Sequence, residues 1–431
     1  MREMKKSGVE WIGDIPTTWE LQTIKQLMVE RVEKNKELQV NTILSLSAKD
    51  GVTLYDGENH SGNKPREDLS DYKIVRENDV VVNSMNILSG SVGLSKFTGV
   101  VSPVYYIYYP RFDGNIEFFH YIFQSFEFQR SLRGLGNGIL IKETESGGLN
   151  TIRMRIPSKK LGMQEFPVCS REEQDRIVSH LDATAKKVET LIANQEAQIE
   201  KLKQYKQSLI TEVVKKGLDP DAPMKDSDVE WIGTINASYS VSPIRSLFEI
   251  KKDIIGKEPE TVLSITQNGL RIKDITVNEG QMAESYSNYQ IVNIGDFAMN
   301  HMDLITGGVG ISQYEGVTSP DYRVFRIRNK KMNPRYFLYI FEMYYRNRIF
   351  YAFGQGAANV GRWRLPAQNF NSIFIPVAPI DEQNKIVNYL DHKLNIIESL
   401  IDKKRKKIEH LSQYKKSLIY EYVTGKKEVS V

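Results

Sequence analysis

The feature that most constrains this chain is that nearly all of it is written twice. Met4-Lys-Lys-Ser-Gly-Val-Glu-Trp-Ile-Gly13 returns as Met224-Lys-Asp-Ser-Asp-Val-Glu-Trp-Ile-Gly233, 220 residues later. Tyr72, Val75, Asp79, Asn83, Met85, Gly93, Gly99 and Pro103 recur as Tyr289, Val292, Asp296, Asn300, Met302, Gly310, Gly316 and Pro320 at a constant spacing of 217. Self-similarity on this scale marks a duplicated structural unit. Within each copy, runs such as Asp79-Val-Val-Val82, Tyr105-Tyr-Ile-Tyr-Tyr109 and Tyr322-Arg-Val-Phe-Arg-Ile327 alternate with glycine turns. Branched and aromatic residues in short runs predict strands, so each copy is a mixed α+β module.

Each module ends in a long helical segment. Val178, Ala185, Ile192, Ile199 and Val213, with Leu181, Val188, Leu202 and Leu209, fall on two columns of period seven. Val387, Leu394, Ile401, Ile408 and Tyr422, with Leu390, Ile397, Leu411 and Leu418, do the same in the second copy. That spacing is a coiled-coil seam. Gln195, Lys206, Lys404 and Lys415 interrupt it. A helix from Arg171 to Lys216 is about 69 Å long at 1.5 Å per residue. Gly217-Leu-Asp-Pro-Asp-Ala-Pro223 then breaks it with two prolines, and the second helix must run back antiparallel. The expected architecture is α+β: two tandem pseudo-symmetric domains separated by two long antiparallel coiled-coil helices, a caliper. Expected boundaries are 1–168, a first helix over 169–217, linker and second module over 218–378, and a second helix over 379–431.

Composition narrows the function. At 431 residues, 40% hydrophobic and 26% charged, the chain has the balance of a water-soluble protein of more than one domain. No apolar run approaches the roughly 18 residues of a membrane span. The N-terminus leads into Val9-Glu-Trp-Ile-Gly-Asp14 rather than a signal peptide, so a cytoplasmic location is expected. One cysteine, Cys169, and six scattered histidines offer neither a disulfide nor a zinc-ligand pattern. No nucleotide-binding Gly-x-x-x-x-Gly-Lys-Ser/Thr loop is present, and no cofactor is expected on this chain. Asn333-Pro-Arg-Tyr336 approaches an adenine-methyltransferase motif but lacks its second proline. Asn333 reads instead as a helix N-cap with Pro334 in the first turn.

The net charge of +4 is small, but its distribution is uneven. From Asp321 to Arg364 ten cations face two acids, with Tyr336, Tyr339, Tyr344, Tyr345 and Trp363 between them. Cations that neutralise phosphate and side chains that reach base edges are what DNA readers combine. Gly, Asn and Lys-bearing loops at 135–142 and 354–361 are candidate groove-entering segments. The candidate DNA contacts, drawn from charge and loop position, are Lys64, Arg66, Lys96, Arg133, Asn137 and Lys142 in the first module. In the second they are Arg271, Lys273, His301, Gln355, Arg362 and Arg364.

Glu10-Trp-Ile-Gly-Asp-Ile-Pro16 with Trp19, Gly217-Leu-Asp-Pro220, Glu230-Trp-Ile-Gly233 and the helix-opening Glu-Gln pairs at 173–174 and 382–383 resemble the specificity subunits of Type I restriction-modification systems. The likeness covers almost the full length. It departs at Ile235-Asn236 and Tyr239, where the first copy has Ile15-Pro16 and Trp19, and at Ser170, which stands where the second copy has Pro379. The resemblance implies a non-catalytic subunit whose two target-recognition domains each bind one half of a bipartite, asymmetric double-stranded DNA target. It implies two methyltransferase subunits carrying S-adenosylmethionine, and two motor-nuclease subunits using ATP and Mg, as partners. Candidate spacer and subunit-interface residues are Glu173, Gln174, Leu181, Leu202, Glu382, Gln383, Leu390 and Leu411. The alternative is a coiled-coil protein scaffold that never meets DNA, which salt-dependent, sequence-specific DNA binding would exclude.

Overall fold

A computed structural model describes residues 2–57, 64–138, 141–143, 149–151, 154–267, 269–275, 283–356 and 363–429. Contacts divide the chain into two compact units, residues 1–195 with 406–431, and residues 196–405. No described helix is long and apolar enough to cross a membrane.

In the first unit the chain opens with a tight turn. The Gly13 N–H donates to the Val9 carbonyl at 2.9 Å with Gly13 at φ +70°. That left-handed backbone is open to glycine at little steric cost. Gly233 repeats it in the second unit at φ +65°, which explains why both copies carry the same Trp-Ile-Gly. A four-stranded antiparallel sheet follows in the order 28–30, 105–110, 80–83 and 92–94. The second unit builds the same sheet from 248–251, 323–327, 297–299 and 309–311. Edge-to-face phenylalanines fill the space under each: Phe123, Phe128 and Phe166 in one, Phe248, Phe325 and Phe341 in the other.

Four helices carry the rest of the argument: α1 (Ile116–Gln124), α2 (Arg171–Lys216), α3 (Pro334–Arg346) and α4 (Ile380–Val423). Asn333 caps α3, its side chain accepting from the Arg335 N–H at 3.0 Å with Pro334 in the first turn. The 46-residue α2 stops at Gly217, whose N–H bonds the Val213 carbonyl and whose φ is +83°.

The long helices pack as an antiparallel coiled coil. Within the first unit His180 meets Tyr422 and Glu189 meets Lys415 at 2.6 Å, so numbers fall on α4 as they rise on α2. Within the second unit Gln198 meets Lys404 and Lys206 meets Glu398 at 2.5 Å, again in opposite sense. The lysines that interrupt the heptads are therefore the ones that reach across, their stems along the seam and their charges on the facing helix. Leu181, Leu209, Leu390 and Leu418 are buried, whereas Leu202 and Leu411 are half-buried.

Candidate nucleic-acid interface

Each module is fastened to its own helix by the same device. Gln174 is buried; its Oε1 accepts from the Asn115 N–H at 2.8 Å and its Nε2 donates to the Cys169 carbonyl at 2.9 Å. Gln383 does the same with the Asn333 N–H at 2.9 Å and the Ala378 carbonyl at 2.8 Å. Tyr121 donates to Asp182 on α2, and Tyr339 to Asp391 on α4. Glu173 accepts from the Trp19 indole at 3.1 Å and pairs with Arg2. Where Tyr239 replaces Trp19, its hydroxyl is buried beside Glu382 without a hydrogen-bond partner among the described residues, and burial, then Glu382, push its pKa up. So Glu173, Gln174 and Gln383 hold module to helix within their units, whereas Glu382 lies beside Tyr239 without a bond to it.

Farther along each module two segments pair at corresponding places, as a two-strand ladder in the first and an isolated bridge in the second. Asn137 pairs with Arg155 across an antiparallel two-strand ladder, and Gln355 bridges to Arg364, the two backbones exchanging hydrogen bonds at 2.8 and 3.0 Å. Directly opposed residues project on one face. An exposed amide therefore sits beside an exposed guanidinium in both modules. A carboxamide can meet adenine N6 and N7 bidentately, and an arginine guanine O6 and N7. In the first module the pair borders a cleft of about 460 Å³ to which Lys73, Lys159, Tyr106 and Glu30 also contribute. Lys73 lies 5.5 Å over the Tyr106 ring, donates to the Tyr105 carbonyl at 2.7 Å, and has its pKa lowered, chiefly by burial against the pull of Glu30.

Of the expected contacts, Asn137, Gln355 and Arg364 lie on these pairings. His301 joins them, accepting the Leu365 N–H at its carbonyl at 2.9 Å. The remainder stand on other segments. Lys64, Arg66 and Lys96 are exposed, and the Arg66 N–H is held by the Tyr72 hydroxyl at 3.1 Å. Arg133 and Lys273 are half-buried. Arg271 is exposed on the 263–272 hairpin, 3.3 Å from the Ser264 hydroxyl. Arg362 and the Lys142 side chain lie outside the described residues, as does much of both candidate loops.

The basic stretch 321–364 needs correction, because four of its ten cations serve the fold. Arg323 is buried, Arg326 pairs with Glu249, Arg328 caps the Arg245 and Phe248 carbonyls, and Arg335 pairs with Asp391. Arg155, Lys73 and Lys159 were missed. The signal for Arg155 was there: Arg155 and Arg364 are 209 apart, the spacing of the helices, whereas Asn137 and Gln355 still keep the module spacing of 218.

Residues 239–410 match the family model described as the Type I restriction modification DNA specificity domain. A Methanocaldococcus jannaschii protein provisionally named as the type I restriction enzyme MjaX specificity subunit is 23% identical over 209 residues, 45% of this chain and 47% of that protein. The chain thus spans about half the length of the curated relative it matches. A chain solved in work on complex assembly and conformational transition of the type I R-M system superposes with TM-score 0.66 at 11% identity, over 95% of this chain and 98% of that one. That likeness shows the fold. The HsdS subunit from Thermoanaerobacter tengcongensis aligns over 96% and 98% at 14% identity, with a TM-score of 0.47 that carries no argument.

Proposed function

We infer that this chain belongs to the family of Type I restriction-modification specificity subunits, and its role follows from that reading. Each module reads one half of a bipartite, asymmetric double-stranded DNA target, and the chain directs adenine methylation and cleavage that partner subunits perform. The observation that carries this reading is a pairing found in both modules, a ladder in one and a single bridge in the other, that sets an exposed amide opposite an exposed arginine. Because the amide is Asn137 in one and Gln355 in the other, and the connections differ in length, the two half-sites differ.

The chain itself performs no chemistry in this account. Two methyltransferase subunits supply S-adenosylmethionine, two motor-nuclease subunits supply ATP and Mg-dependent cleavage, and the assembly works in the cytoplasm. Methylated-adenine mapping tests it, comparing cells that express this chain with its methyltransferase subunit and cells lacking only this chain. A gapped two-part motif that depends on the chain is expected. A folded, active complex without any chain-dependent motif would favour the scaffold reading instead.

A further inference from the structure

The two modules solve one internal connection with different chemistry. In the first, the Ile156 N–H donates to the Ser84 carbonyl at 3.0 Å and its carbonyl accepts from the Tyr106 hydroxyl at 2.8 Å. Ser84 in turn donates its own hydroxyl to the Val104 carbonyl at 2.7 Å. In the second, the Leu365 N–H donates to the His301 carbonyl at 2.9 Å and its carbonyl accepts from Arg323 Nη2 at 2.7 Å. Sheet register confirms the match, since Tyr106 faces Val82 where Arg323 faces Met299. A serine and a tyrosine, both satisfied, are thus replaced by a histidine and an arginine.

The replacement leaves groups unsatisfied. Arg323 is 5% exposed, and neither its buried Nη1 nor the buried His301 Nδ1 has a partner among the described residues. The Arg323 guanidinium packs 4.7 Å over the Phe370 ring, and no described carboxylate forms an ion pair with it. Burial lowers its pKa to about 10, so it stays charged at neutral pH. Burial first, then Arg323 and Arg364, push His301 down to about 4. Burying a charge without a counter-charge is strongly unfavourable. The first module shows that the fold does not require this charge. One residue from Leu365, Arg364 presents its guanidinium to solvent.

We propose that the second module carries a phosphate-binding site the first lacks, at exposed Arg364, whose neighbour Leu365 is bonded to both His301 and the uncompensated Arg323. The site supplies the exposed Arg364 guanidinium as the donor and the buried Arg323 charge beneath the same segment as a field, a combination suited to a tetrahedral dianion or phosphodiester. An anion at Arg364 gains from the buried charge because little water screens the two. The phosphate is either a backbone group of bound nucleic acid or a free ion, and the experiment separates them.

The full chain is titrated with inorganic phosphate against chloride at equal ionic strength while Tm is followed, and its DNA affinity is measured against salt. The double variant His301→Ser with Arg323→Tyr installs the pair that the first module already accommodates. Free-ion binding predicts that phosphate raises the wild-type Tm and leaves the double variant unmoved. Binding of a backbone phosphate predicts no effect of the free ion but a log affinity against log salt slope shallower by about one in the variant. If the double variant fails to fold, His301→Gln with Arg323→Gln carries both readouts, Arg364 being left in place because it belongs to the pair proposed to read a base. Equal phosphate response and equal salt slope in wild type and variants overturn the proposal. A phosphate response in a chain that binds no DNA would uphold the site and sink the DNA reading.

Discussion

At the scale of residues, the molecule depends on a few buried polar groups that the duplication repeats. Gln383→Ala leaves the Asn333 N–H and the Ala378 carbonyl without their partner. An unsatisfied buried group costs about 1–3 kcal/mol, and chemical denaturation should show a loss of that order. His120 sets a pH response. Burial lowers its pKa to about 4, against a hydrogen bond to the Val92 backbone that raises it. The unfolded chain takes up this proton near 6.5 and the folded chain only near 4, so the stability it contributes is full above 6.5 and is lost as pH falls toward 4. Denaturation from pH 7 to 4 should show His120→Gln flattening the decline by about 1.4 kcal/mol per pH unit. This scale was the least legible in the sequence. A run of cations gives no sign of which point inward, so Arg323 reads the same as exposed Arg364 until the strand places it under Phe370.

At the scale of elements, both long helices were legible in the heptads, but the second stops at Val423, short of the expected residue 431. Heptads announced the seam, and Gly217 with its prolines announced the stop. Strand runs were legible too, because Val80–Asn83 and Arg323–Ile327 are short and rich in branched or aromatic residues. The pairing partners were not, because the spacing between repeats changes inside the loop that separates them. An apolar and a charged position of the seam should behave differently. Leu390→Ala opens a fully buried site on α4 and should cost about 2–5 kcal/mol, whereas Lys415→Ala removes a solvent-exposed pair with Glu189 and should cost under about 1 kcal/mol. Thermal denaturation of both variants checks the contrast. A similar loss for the two would mean that the seam does not hold the helices as described.

At the scale of the whole molecule, the argument rests on duplication with divergence. The sheet order, the glutamine clamp and the amide–arginine pairing are shared, while Asn137 against Gln355, and Ser84 with Tyr106 against His301 with Arg323, are where the copies part. What is shared folds and fastens each module; what differs lies on and beneath the face proposed to meet DNA. The most direct test exchanges residues 239 to 378 for the second module of another family member and maps methylated adenines in cells carrying the methyltransferase subunit. The account predicts that one half of the motif changes while the other half stays. A change in both halves, or in neither, would contradict it.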